Sequence, residues 1–123
     1  MTTDIVIVED DVALCETMKL RLEHAGYQTR TASDGKAGIE LITNNKPDLV
    51  ITDIIMPEIE GLEFIRMIRE VYADLPIIAV SGGGRMNPDG YLKAALGFGA
   101  TKLLPKPFTN DELIEAVQSS LES

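Results

Sequence analysis

The stretch Ile5-Val6-Ile7-Val8-Glu9-Asp10-Asp11 sets four β-branched apolar residues directly against three acids, and the pattern returns in Leu49-Val50-Ile51-Thr52-Asp53. A short, unbroken apolar run bounded by turn residues reads as a strand buried on both faces. Ile77 to Val80 reads the same way. The alternating Gln28 to Ala32 belongs nearer an edge, and Lys102 to Leu104 supplies a fifth strand that Pro105 stops. Helical spacing fills the gaps. Leu14, Met18, Leu22 and Ala25 predict a first helix ending at Gly26, and a second follows Asp34, carrying Ile39, Leu41 and Ile42 until Pro47 breaks it. Leu62, Ile65, Ile68 and Val71 mark a third, and Tyr91, Leu92, Ala95 and Leu96 a fourth. Thr109 and Glu112 form a capping box ahead of Leu113, Val117 and Leu121 in a fifth. Five strands alternating with five helices imply one α/β domain: a parallel sheet with right-handed crossovers and helices on both faces.

Composition supports a self-sufficient core. The chain has 123 residues, 45% of them hydrophobic, so it needs no disulfide or structural metal to fold. Acidic residues outnumber basic ones by 20 to 11, and a net charge of −9 opposes direct binding of nucleic acid. The lone Cys15 excludes an internal disulfide and fits a reducing compartment. No apolar run approaches the roughly 20 residues of a membrane helix. The start Met-Thr-Thr-Asp has no signal-peptide character, and the expectation is a cytoplasmic domain spanning residues 1–123 with no room for a second module.

In an open parallel sheet the ligand crevice lies at the carboxyl ends of the strands. Those ends are acidic here: Glu9, Asp10 and Asp11 follow the first strand, and Asp53 ends the third. If the two strands are neighbours, three or four carboxylates share a small volume, which favours a hard divalent cation such as magnesium. The plainer reading makes Glu9 to Asp11 a solvated turn capping the first helix. Asp53, ending a buried strand, is harder to explain in that way. Ser81 and Lys106 occupy two further strand ends, and singly each would be an ordinary turn or surface residue. Together the four ends suggest phosphoryl transfer to a carboxylate, with magnesium and Lys106 neutralising charge and Ser81 donating a hydroxyl hydrogen bond.

These residues resemble the receiver domain of bacterial two-component response regulators along essentially the whole chain. The matching motifs are Glu9-Asp10, the run from Asp53 through Met56-Pro57 to Gly61, Ser81, and Lys106-Pro107-Phe108. The resemblance implies a flavodoxin-like five-stranded sheet in the order 2-1-3-4-5, with helices on both faces. It implies transfer of a phosphoryl group from a histidine kinase or phosphotransfer protein to Asp53, with Lys106 and Ser81 sensing that group. Magnesium, or manganese in its place, would be held by Asp10, Asp53 and the backbone carbonyl of Ile55, with Glu9 binding directly or through a water. A cis bond between Lys106 and Pro107 and an output face made of the fourth helix, fifth strand and fifth helix also follow. That face would act on a downstream effector protein or a fused output domain, or form a phosphorylation-dependent homodimer. Asp11 is left to cap the first helix.

The chain departs from the family pattern in three places. The switch position, commonly aromatic, is Leu103, which has no ring to flip. Ser81 is followed by Gly82-Gly83-Gly84-Arg85-Met86-Asn87-Pro88, a glycine-rich connection costly to order. The residues two beyond Asp53 and Ser81 are Ile55 and Gly83, and neither can position a water, so slow self-dephosphorylation is expected. A phosphoaspartate hydrolase would want a second Asp where Ile55 stands, and a flavin carrier would want a phosphate loop where the acids stand. A receiver-like interaction scaffold that signals without phosphorylation is the remaining alternative. The chain is read as a switch and not as an enzyme. Cys15 and His24, nine residues apart on one helix, lie about 13.5 Å apart along its axis and form no catalytic pair.

Overall fold

The apolar runs pair as strands because burial on both faces leaves the ladder as the one place their backbone groups can bond. In the computed structural model, which describes residues 2–54, 61–81 and 94–122, β1 is Asp4–Val8, β2 Gln28–Ala32, β3 Leu49–Asp53, β4 Ile77–Ser81 and β5 Lys102–Pro105. All pairings are parallel, in the order β2-β1-β3-β4-β5, as expected. β2 lies at an edge, and β5 at the other edge keeps Pro105 as its last residue, where no further ladder needs the missing N–H. The helices are α1 Val12–His24, α2 Gly35–Asn44, α3 Gly61–Val71, α4 (helical residues 94–98) and α5 Asn110–Glu122. Tyr91, Leu92 and the connection from Gly82 to Pro88 lie outside the described residues.

Local chemistry sets the helix ends. Asp11 caps α1 by accepting from the Leu14 N–H at 3.1 Å, and Asp34 caps α2 through the Ala37 N–H at 2.8 Å. Thr109 and Glu112 exchange two hydrogen bonds, of 2.8 and 3.1 Å, at the start of α5. α1 stops before Gly26, whose φ of +101° suits a residue without a Cβ.

Strand alternation divides the core in two. Val6, Val8, Val50, Ile77 and Ala79 pack with Ile42, Phe64, Ile65, Ile68 and Ala95 on the side of α2, α3 and α4. Ile5, Ile7, Leu49, Ile51, Ile78 and Val80 pack with Cys15, Met18, Leu22, Leu113 and Val117 on the side of α1 and α5. Three expected core positions fail, one of them Leu96 of α4, which is 49% exposed. Val71 is 54% exposed while Phe64 is fully buried. Nine residues at about 100° each turn a helix by half a revolution net, so Leu62 and Val71 cannot both face the sheet. Ala25, expected to close the first stripe, is the exposed C-cap of α1.

Two arginines brace the ends. At the amino end of the sheet, Arg30 makes a forked ion pair with Asp4 and donates to the carbonyls of Leu41 and Asn45. Arg69 of α3 donates to the carbonyls of Gly99 and Tyr72 at 2.9 and 3.0 Å, tying α3 to the turn after α4. No helix among the described residues is long and apolar enough to cross a membrane.

Candidate functional site

Strand parity and strand length deliver the acids. Glu9 follows β1 with the parity of Ile5 and Ile7, and Asp53 ends β3 with the parity of Leu49 and Ile51, so both belong to the α1 and α5 side of the sheet. They are 2% and 6% exposed. Asp10, the next residue, is exposed. One oxygen from each of Glu9, Asp10 and Asp53 lies within 4.8 Å of the others. Lys106 enters from beyond β5, its N–H bonded to the Ser81 carbonyl at 2.8 Å and its bond to Pro107 cis. Its Nζ stands 2.9 Å from Glu9 Oε1 and 3.1 Å from Asp53 Oδ2. The other Glu9 oxygen accepts the Asp11 N–H at 3.3 Å, which links the cluster to the start of α1.

The electrostatics follow from burial. Desolvation pushes the Glu9 carboxyl up to about 7, with Lys106 pulling it down and the Asp53 charge pushing it further up. For Lys106, burial acts downward, but the hydrogen bond to Glu9 and the charges of Asp53 and Glu9 outweigh it, so the ammonium is held above its ordinary range. Three carboxylates therefore cluster beside one ammonium, which pairs with Glu9 and Asp53, and the buried Glu9 resists ionisation. A donor set made only of carboxylate oxygens, short of positive charge, fits a hard divalent ion such as magnesium or manganese better than a thiophilic one.

The other expected residues fall in different places. Ser81 is fully buried, and its Oγ has no hydrogen-bond partner among the described residues. Leu103 is half-buried and packs against the core cluster on the α2, α3 and α4 side. Ile55, expected to lend its carbonyl, lies outside the described residues, as does Gly83. Cys15 is buried, and desolvation together with the charges of Glu9 and Glu16 pushes its thiol up, away from nucleophile chemistry. His24 stands at the far end of α1. Thr52 was not foreseen as part of the site: its hydroxyl donates to the Asp53 backbone carbonyl at 2.9 Å. The available signal was a hydroxyl residue inside a strand otherwise solidly apolar. A cleft of about 700 Å³ opens at the opposite end of the sheet beside Asp4, Tyr27, Arg30 and Lys46. There the Arg30 guanidinium is already engaged by Asp4 and two carbonyls.

Comparison with known proteins agrees with this fold. The family described as the response regulator receiver domain matches residues 5–118. Response regulator MprA of Mycobacterium sp. (strain KMS) is 36% identical over 121 residues, covering 98% of this chain. The chain spans about half the length of the curated relatives it matches, 51% in that case. The crystal structure of the receiver domain of NtrX from Brucella abortus superposes with a TM-score of 0.91 at 30% identity, covering 98% of this chain and 99% of that one. Chemotaxis response regulator CheY4 of Vibrio cholerae gives a TM-score of 0.86 at 28% identity, with 98% and 100% covered.

Proposed function

The chain belongs to the response regulator receiver domain family, and from that premise we propose that it is a phosphoacceptor switch in which Asp53 takes a phosphoryl group from a sensor histidine kinase or phosphotransfer protein. The observation that carries the reading is Lys106, one ammonium held 2.9 Å from Glu9 and 3.1 Å from Asp53 at the carboxyl edge of the sheet. A carboxylate oxygen of Asp53 attacks phosphorus, and a P–O bond forms as the P–N bond of the donor phosphohistidine breaks. The imidazole nitrogen keeps the electron pair and takes up a proton, leaving an acyl phosphate on Asp53. Lys106 exchanges Asp53 Oδ2 for a phosphoryl oxygen, where a compact charge is what the chemistry needs. Ser81 contributes its hydroxyl as a donor.

Asp10, Asp53, the carbonyl of Ile55, and Glu9 directly or through a water would hold magnesium, with manganese able to replace it. When bound, the ion neutralises carboxylates and phosphoryl oxygens together. Ile55 enters this set on family resemblance alone. The face made by α4, β5 and α5, with Leu103 at the switch position, carries the output. Its target is a downstream effector protein or a fused output domain, or a second phosphorylated copy. The chain works in the cytoplasm as a single receiver domain and assists only its own phosphorylation and dephosphorylation. The test is incubation with magnesium and acetyl phosphate, followed by intact mass. One added phosphoryl group is expected, and Asp53→Asn abolishes it. Absence of the gain in the parent chain would leave the scaffold reading instead.

A further inference from the structure

Thr52 is fully buried in the middle strand of the sheet. Register places it between Val8 and Ala79, both core residues on the side of α2 and α3, so its side chain lies on the face opposite the Asp53 carboxylate. A hydroxyl in such a place needs a partner, and it has one: the Asp53 carbonyl, 2.9 Å away. The neighbouring ladders end unevenly. The β1–β3 register stops at Val8 with Thr52, whereas the β3–β4 register continues to Asp53 with Val80. Asp53 is thus paired in register with β4 on one side and stands one residue past the last pair on the β1 side.

We infer that Thr52 is a positioning residue for phosphorylation of Asp53. Its hydroxyl takes the carbonyl of the peptide group that follows the Asp53 Cα, while the N–H of that group, from Ile54, bonds to the Val80 carbonyl at 3.0 Å. In-line attack on phosphorus depends on a fixed angle and a separation of about 3 to 3.5 Å, and a peptide bonded through both its carbonyl and its N–H fixes the direction from which the carboxylate projects. Thr52 acts through the backbone, by the hydrogen bond from its hydroxyl to the Asp53 carbonyl. The inference rests on the reading of Asp53 as the acceptor.

The test compares Thr52→Val, which removes the hydroxyl, with Thr52→Ser, which keeps it. Each full chain is treated with acetyl phosphate at saturating magnesium, where Asp53 displaces acetate as one P–O bond forms and another breaks. Thr52→Val is expected to be phosphorylated about tenfold more slowly, and Thr52→Ser within about twofold of the parent rate. In metal-free protein, the Asp53 carbonyl ¹³C resonance should move in Thr52→Val and stay in Thr52→Ser, reporting the hydrogen bond independently of reactivity. Circular dichroism and urea unfolding check that the variants are folded. A parent-like rate in Thr52→Val, or a fall in folded Thr52→Ser as deep as that expected of Thr52→Val, overturns the inference. Failure of the parent itself to be phosphorylated is a separate result, and it removes the acceptor reading along with the inference.

Discussion

Replacing Glu9 by glutamine should stabilise the metal-free protein at alkaline pH and leave it unchanged in acid. Glu9 is 2% exposed, and its carboxyl is raised from an ordinary 4.5 to about 7, chiefly by desolvation. A folded-state value above the unfolded one means that the folded chain holds the proton more tightly. The associated stability is complete below about 4.5 and is lost as pH rises through about 7. At roughly 1.4 kcal/mol per pH unit, the loss comes to about 3 kcal/mol. That is a sizeable part of the 5–15 kcal/mol by which domains of this size are typically stable. Glutamine resembles the protonated acid and carries no such penalty. Urea unfolding of both proteins in excess chelator should therefore give equal stabilities near pH 4.5 and a gap approaching 3 kcal/mol, in favour of Glu9→Gln, at pH 8. Comparing the two proteins at each pH cancels every titration they share. A gap independent of pH, or one that opens toward acid, would refute the argument that Glu9 is ionised against the cost of burial.

Lys106→Met should destabilise the metal-free protein by about 2 kcal/mol at pH 8, since it leaves two buried carboxylates facing one another, and the same urea assay reads it. Excess magnesium should raise the thermal unfolding midpoint of the parent and not that of Asp10→Asn/Asp53→Asn, which keeps only one of the three carboxylates. Gly99→Ala should cost about 2 kcal/mol, because φ is +120° and a Cβ would meet Arg69 Cγ at 2.6 Å. Gly97→Ala, with nothing within 4 Å, should instead stabilise the helix slightly in the same unfolding experiment. Once phosphorylated, Asp53 should keep its phosphoryl group for minutes or longer after the donor is removed, as followed by intact mass, because Ile55 and Gly83 offer no group to orient a water.

The fold was legible because several signals agreed. Solid apolar runs at Ile5, Leu49 and Ile77 demanded central strands, and Asp11, Asp34 and the pair Thr109 and Glu112 marked helix starts that the hydrogen bonds reproduce. The nearness of Glu9, Asp10, Asp53 and Lys106 was legible from strand ends alone. Three things were not. The third helix was read at a spacing of three, which drifts around the axis, so Phe64 was missed and Val71 misplaced. The sharing of Lys106 between two carboxylates depends on where a flexible stem ends, which spacing does not encode. The Arg30 brace and the Arg69 bond to Gly99 join residues 11 to 30 positions apart in sequence, and the linear pattern holds no trace of such partners.

The division of the sheet into two faces has an implication for how this chain can change. Glu9 sits two residues past Ile7, and Asp53 two past Ile51, each inheriting its side from a core residue. The strands therefore act as rulers graduated in pairs. Adding or removing one residue within Ile5 to Glu9 or Leu49 to Asp53 would carry a carboxylate to the opposite side of the sheet and exchange the residues of the two core layers in the same move. Length variation is confined to the connections. In β1 and β3 the chain can be respelled but not respaced.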